Sequence, residues 1–232
     1  MQFTENNMHP QTGKGILVPK VPACIQDAKD IPALLDKENI QEIPIACVNW
    51  PEDFPYRPEV SFRIAHTGDA ILLHFKVTEA CVRAVAGEDN GPVWKDACVE
   101  FFLSPEGNDV YYNIESNCVG NILLHHGKKG EKRPAAPQQT IDRIQRWSSL
   151  GREPIEYRTG EDGTLSWEYA ERIPKEVFAE SGIDTFDGKV MTANFYKCGD
   201  DLPTPHYLSW KPITLEKPQF HCPEFFGKLQ FQ

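Results

Sequence analysis

The 232 residues predict an all-β fold: a jelly-roll-like β-sandwich of antiparallel sheets with one or two short helices. Three observations point to it. From about residue 30 onward, short runs alternate apolar and polar residues, which is the period of half-buried strands. Turn clusters rich in Gly, Asn and Asp separate several of these runs at hairpin distances. One stretch carries both a helix start and a helix stop, and longer loops between the hairpins suit strands that cross from sheet to sheet.

Residues 1–30 read as an N-terminal arm, polar and pattern-poor over its first twenty residues, and 31–232 as a single domain. Residues 61–65 and 70–79 flank the turn cluster at 66–69 and form a hairpin. In its second strand Ile71, Leu73, Phe75 and Val77 share one face, while Leu72, His74 and Lys76 share the other. A single strand follows at 95–104. Residues 110–117 and 121–126 make a second hairpin over 118–121. The segment 128–150 is basic, then rich in Pro and Gln, a long loop with one strand near 143–149. A third hairpin joins 154–159 to 164–173 over 160–163. Pro174 suits a first helical position and Gly182 a C-terminal cap, giving a turn or two of helix between them. Strands at 190–197 and 228–231 complete the set. Trp167 sits inside an alternating run, as core tryptophans do, and Trp210 is also assigned to the core.

The balance of 24 Lys and Arg against 34 Asp and Glu gives a net charge of −10. That argues against a nucleic-acid partner, which needs clustered cations for phosphate. The short run Lys128, Lys129, Lys132 and Arg133 is read as a solvated loop. No apolar run approaches the length of a membrane span. No basic n-region followed by an apolar h-region is visible at the start, so the default expectation is the cytoplasm, with secretion or the periplasm left open. Seven cysteines, an odd number without a Cys-x-x-Cys pair, read as buried reduced thiols, with a disulfide pair left open.

Two aromatic segments stand out as candidate sites. Trp94 lies on a loop at the mouth of a strand, as a platform or as a lid over the core. In that strand Val99, Phe101 and Leu103 make one face, and Cys98, Glu100 and Phe102 the other. Tyr111, Asn113 and Glu115 share a face of the next strand. If the two strands are neighbours, Glu100, Asn113 and Glu115 gather on one sheet face. Acids and amides so grouped match sugar hydroxyls, and an aromatic face matches the apolar face of a sugar ring. The plainer alternative is a solvated outer face. Near the C-terminus, Phe220 and His221 open an aromatic, Pro-rich run into the last strand. His125 and His126 point to opposite faces, a poor two-His metal grip, so catalytic zinc is disfavoured. A carboxylate pair from Glu100, Glu115 and Glu168 is the basis for a glycoside hydrolase alternative. For a haem-holding sandwich, only Met1, Met8 and Met191 are available as axial methionines.

Several segments together resemble the family 9 carbohydrate-binding modules: Trp94-Lys-Asp-Ala-Cys-Val-Glu-Phe-Phe-Leu103, Tyr111-Tyr-Asn-Ile-Glu-Ser-Asn117, Leu165-Ser-Trp-Glu-Tyr-Ala-Glu-Arg-Ile-Pro174, Ala193-Asn-Phe-Tyr-Lys197, Leu208-Ser-Trp210 and Pro223-Glu-Phe-Phe-Gly-Lys-Leu229. The match covers about residues 50–231. The resemblance implies a non-catalytic β-sandwich that holds a mono- or oligosaccharide between two aromatic walls, commonly beside a glycosidase partner. By position Trp94 is one wall, Glu100 a hydroxyl acceptor, Asn113 and Glu115 the floor, and Phe220 or His221 the second wall. The well-known members carry a second Trp there, so stacking is expected to be weaker in this chain. The resemblance requires no cofactor and allows structural calcium. Turn oxygens such as those of Glu161-Asp162 and Asp200-Asp201 are of the right kind, although no metal ligand is assigned.

Overall fold

The computed structural model describes residues 15–22, 25 and 27–232. Met1, Met8, Cys24 and the first fourteen residues of the expected arm lie outside them. In chain order the strands begin with β1 (Ile16–Val18), β2 (Ile43–Pro44), β3 (Cys47–Val48), β4 (Glu59–His66) and β5 (Ala70–Glu79). Then come β6 (Val82–Ala84), β7 (Cys98–Ser104), β8 (Val110–Asn117), β9 (Ile122–Lys128) and β10 (Gln145–Ser148). The last five are β11 (Ile155–Arg158), β12 (Leu165–Pro174), β13 (Val190–Cys198), β14 (Tyr207–Ser209) and β15 (Gly227–Phe231).

Two sheets pack face to face. The larger runs β1-β15-β13-β7-β8-β9, and the smaller runs β10-β12-β5-β4-β2. β15 pairs with the first part of β13, β14 pairs with its end, and β3 joins β14. β1 lies parallel to β15, whereas the other ladders are antiparallel. The alternation in the sequence dictates the core. Ile71, Leu73, Phe75 and Val77 face inward to meet Val99, Phe101 and Leu103. Phe62 of β4 stacks on Phe195 of β13 with ring centroids 3.7 Å apart, and Phe195 stacks in turn on Phe101 at 5.0 Å. Each such buried Phe contributes roughly 1.5–3 kcal/mol through lost water contact. Trp167 is fully inside, Met191 is buried in the same core, and Trp210 packs against it.

The β4–β5 and β8–β9 hairpins form as the alternation predicts. The third expected hairpin does not. β12 is paired on both edges, with β5 and with β10. β11 therefore has no edge of β12 to join and pairs with β6 instead. The turn at 160–163 does close, through the Gly163 amide to the Gly160 carbonyl. A side chain at Gly160 would strike the Thr164 carbonyl oxygen at 1.7 Å. The arm also departs from a purely surface course. Ile16–Val18 extends the larger sheet, and Val18 is buried. A helix missed by the pattern, α1 (Ile31–Lys37) with Pro32 in its first turn, covers the outer face of the smaller sheet. Ile31 and Leu35 pack there against Ala65, Leu72 and Ala170. The expected turn after Pro174 is a 3-10 helix, Lys175–Ser181, closed by left-handed Gly182. Among the described residues no helix is long and apolar enough to cross a membrane.

The loop at residues 85–97, which carries Trp94, is pinned at several points. Asp89 accepts two hydrogen bonds from the Arg146 guanidinium at 2.6 and 2.8 Å, and one each from the Ile122 amide and Gln138. Asn90, at positive φ, accepts from the Leu124 amide and donates to the Ala136 carbonyl. Burial alone would raise the Asp89 carboxyl. The Arg146 bonds, the Ile122 amide and Gln138 outweigh it and hold the group at about 2. An unfolded Asp titrates near ~3.9, so the stabilisation is complete above that value and is lost as pH falls towards 2. Asp89→Asn is accordingly expected to cost about 2 kcal/mol at pH 7 and about half as much at pH 3. Urea unfolding of both proteins at the two pH values measures this, and a cost independent of pH would contradict the ionised pairing.

Candidate functional site

Opposite residues of antiparallel neighbours share a face, so the register writes out the outer face of the larger sheet. One row holds Tyr196, Glu100, Glu115 and Leu123. The next holds Asn194, Phe102, Asn113 and His125. Cys198, Cys98 and Asn117 form a third. Glu100, Asn113 and Glu115 therefore do gather, and they are buried rather than solvated. The cover comes from the chain between β14 and β15, which folds back over this face. Phe102, Tyr111 and Tyr196 anchor it by packing against Ile213, Cys222 and the rings of Phe220 and Phe226. Phe220 stacks on Tyr196 at 4.2 Å, and the Tyr196 hydroxyl donates to the Phe220 carbonyl. His221 stacks on Phe102 at 5.1 Å.

The cover is incomplete and leaves a slot of about 320 Å³, at the small end for a ligand pocket. Trp94, Glu100, Asn113, Glu115, Phe220 and His221 all line it. Trp94 is 36% exposed at the rim, on a single 3-10 turn, Val93–Lys95. Its backbone is fixed from below. The fully buried Asp96 carboxylate accepts from Arg83, from the amides of Val85 and Ala86, and from Asn117. The Trp94 carbonyl accepts from the Asp200 amide. Trp94 is thus held at the rim of the slot with its indole partly exposed, rather than closed over the core.

Residues outside the predicted set also line the slot, among them Arg133, His125, Asp200 and Tyr207. Arg133 does not lie in a solvated loop as its basic neighbours suggest. The chain after β9 bends back along its edge, with Ala135 bridging His125 and the Ala136 amide donating to Leu124. Gly127, at φ +147°, leaves room for the Arg133 side chain, which a Cβ would meet at 2.9 Å. Arg133 lies over the Tyr111 ring, donates to Asn113 Oδ1 at 2.5 Å, and approaches His221 Nδ1 at 3.0 Å. Nothing in the spacing of a Lys- and Pro-rich segment announces that path.

The floor is electrostatically tense. Glu100 and Glu115 face each other across neighbouring strands. Burial pushes Glu115 up to about 7, against the Asn113 amide and Arg133, which lower it. Burial, then Cys198 and Glu115, push Glu100 well above the usual carboxylate range. A protonated carboxyl donates as well as accepts. His221 is pushed down to about 4, first by burial and then by Arg133 and His125. Because a guanidinium only donates, Nδ1 of a neutral His221 is the acceptor and its proton sits on Nε2.

Other candidates fall elsewhere. Glu168 is on the smaller sheet, 2.9 Å from His74 Nε2. His126 points away from the slot and stacks on Tyr112. Asp162 accepts from the amide and hydroxyl of Thr164 within its own turn, and Asp201 pairs with Lys95. Asp162 and Asp201 thus have protein donors in their own neighbourhoods. The six described cysteines outside Cys24 are free thiols.

The His221 assignment has a measurable consequence. Its folded pKa lies below the unfolded value of about 6.5, so its neutral form favours the fold above that pH and the benefit is lost as pH falls towards 4. Nitrogen-detected NMR is expected to show His221 neutral and Nε2-protonated between pH 6 and 8. Titration of the ring in that interval would overturn the hydrogen-bond scheme.

Comparison with known proteins agrees with this architecture. The family model for carbohydrate-binding family 9 matches residues 29–231. A proposed carbohydrate-binding protein from Bacteroides uniformis ATCC 8492 is 54% identical, with a TM-score of 0.91 over 95% of this chain and 100% of that one. A family 9 module from Caldicellulosiruptor kristjanssonii in complex with cellotriose has a TM-score of 0.55 at 12% identity, covering 93% of this chain and 92% of that one. A module of the same family and organism in complex with glucose gives 0.52 at 15% identity, over 94% and 96%. Among curated proteins there is no significant match. With nearly the whole chain under the family model and the sandwich reproduced, this protein belongs to carbohydrate-binding family 9.

Proposed function

We propose that the slot binds a mono- or oligosaccharide without chemical change. The exposed face of Trp94 above a buried polar floor is the observation that carries this reading. A sugar ring stacks on the indole while its hydroxyl rim reaches the floor. Glu100 and Glu115 accept from hydroxyls or, when protonated, donate to them. His221 Nε2 and Arg133 supply donors. Phe220 and His221 form the second wall, with less aromatic face than an indole. Affinity is expected to be weak, because few sugar atoms are buried. The reading needs no cofactor, and a glycosidase acting on the same sugar is the partner it suggests.

Geometry disfavours the hydrolase alternative. A glycosidase sets its two carboxyl groups on either side of the scissile bond. Glu100 and Glu115 instead lie side by side on one floor, and Glu168 is on the other sheet.

Since the Caldicellulosiruptor modules were solved with cellotriose and glucose, those two sugars are the first probes, followed by a glycan array. Isothermal titration with and without calcium is expected to give saturable binding. Trp94→Ala should weaken it at least about tenfold, or ~1.4 kcal/mol, with the protein still folded. Arg133→Ala should weaken it by a similar factor through the loss of a donor and the release of Asn113 and His221. Binding unchanged in Trp94→Ala would show that the sugar sits elsewhere.

A further inference from the structure

We propose that Cys98, Cys198 and Glu100 form a binding site for a thiophilic divalent cation, zinc by preference, beneath the rim of the slot. The site follows from the register. Cys98 and Cys198 are directly opposite on β7 and β13. Glu100, two residues beyond Cys98, projects from the same face. The two sulfurs and a Glu100 carboxylate oxygen all lie within 4.8 Å of one another. Tetrahedral zinc, with bonds of about 2.3 Å to sulfur and about 2.0–2.2 Å to oxygen, holds its ligands roughly 3.5–4 Å apart. Small rotamer adjustments close that difference.

A second observation is independent of the cluster. Among the described residues Glu100 Oε2 is buried without a hydrogen-bond partner, and Oε1 accepts from the Cys198 thiol at 3.1 Å. Glu100 is 3% exposed and lines the slot. An orphaned buried carboxylate oxygen is costly. A cation would satisfy it while displacing the protons of the two thiols and of Glu100. The thiols must lose their protons to bind a metal ion, so binding would release protons and tighten with pH. The alternative pairing, a Cys98–Cys198 disulfide, would remove the Cys198 thiol hydrogen bond to Oε1 and leave Oε2 as it is. The ligand set favours zinc over calcium or magnesium, because two thiolates are soft donors.

Around the cluster Ala86, Val93 and Leu123, with Tyr207 and Phe220, make an apolar shell. Three protein ligands leave a fourth tetrahedral position. Cys198 and Glu100 both line the slot, so that position opens towards it and is filled by water or a hydroxyl group. This inference does not depend on the slot binding sugar, and its readout is the metal itself.

The test uses the full chain, reduced and stripped of metal, titrated with cobalt(II) chloride as a coloured substitute for zinc. One equivalent is expected to bind, with thiolate-to-cobalt charge-transfer absorption and the intense visible bands of a tetrahedral ion. Zinc chloride should bleach the spectrum, and calcium chloride should not. Glu100→Gln should keep the thiolate absorption but weaken binding at least tenfold. Cys198→Ser, with its fold checked by circular dichroism, should lose it. Absence of thiolate absorption in the wild-type protein overturns the proposal without recourse to any variant. So does zinc binding of equal strength in Cys198→Ser. A Cys98–Cys198 disulfide found by alkylation and mass spectrometry in protein purified without reductant, and re-formed in the presence of zinc, would overturn it as well.

Discussion

The buried carboxylate of Asp96 is the contact on which the slot depends. It takes hydrogen bonds from four donors: a guanidinium, two backbone amides and a side-chain amide. Those donors come from β6, the loop after it and the end of β8, so one residue ties three segments to the start of β7. A buried charge left unpaired is among the most destabilising features a fold can carry. The loop therefore has little freedom, and Trp94, two residues before Asp96, inherits its position from that constraint. Asp89 and Asn90 fix the other half of the same loop to β9 and β10. An exposed indole at the end of so tightly hydrogen-bonded a segment is preorganised, and a ligand need not bear the entropy of ordering it.

The second wall is made by a different kind of force. Among the described residues no ion pair fixes Phe220 or His221, although Arg133 hydrogen-bonds His221. They are set by stacking on Tyr196 and Phe102, residues that share the sheet face of the floor acids. The outer face of the larger sheet is thus two surfaces in one. Its aromatic part is covered by the chain between β14 and β15, and its polar part is left under the opening. The apolar contact that closes the sandwich's flank also determines where the slot ends. Arg133 completes the polar part from outside the sheet and links the floor, through Asn113, to the wall, through His221.

The proposed ligands would explain why acids are buried there at all. Two glutamates opposite one another, with Asp200 near the rim, oppose each other's ionisation. A structural role alone would favour apolar residues at these positions. An unpartnered oxygen on Glu100 is a cost to the fold, one that the proposed sugar hydroxyl or metal ion would offset.

Much of this was legible in the residues. Period-two alternation separated the core face of β7 from the face bearing Cys98, Glu100 and Phe102. The same rule placed Asn113 and Glu115 together, because parity along a strand is local and does not depend on the fold. The short motifs around Trp94 and Pro223 were enough to suggest the family. Pairing was not legible where an edge was contested. β11 looked like the partner of β12 and is not, since both edges of β12 were already occupied by strands distant in sequence. Whether the Glu100 face was solvated or covered could not be read either, because burial of a sheet face is decided by what folds onto it. Arg133 reached the slot for the same reason: its neighbours in sequence are solvated lysines, and only the return of the chain along β9, past a glycine without a side chain, brings it in. The sequence by itself determined which residues share a face, since that follows from backbone geometry within each strand. Only the tertiary structure decided which faces meet, which are covered and which remain open, since that depends on contacts between residues far apart in the chain.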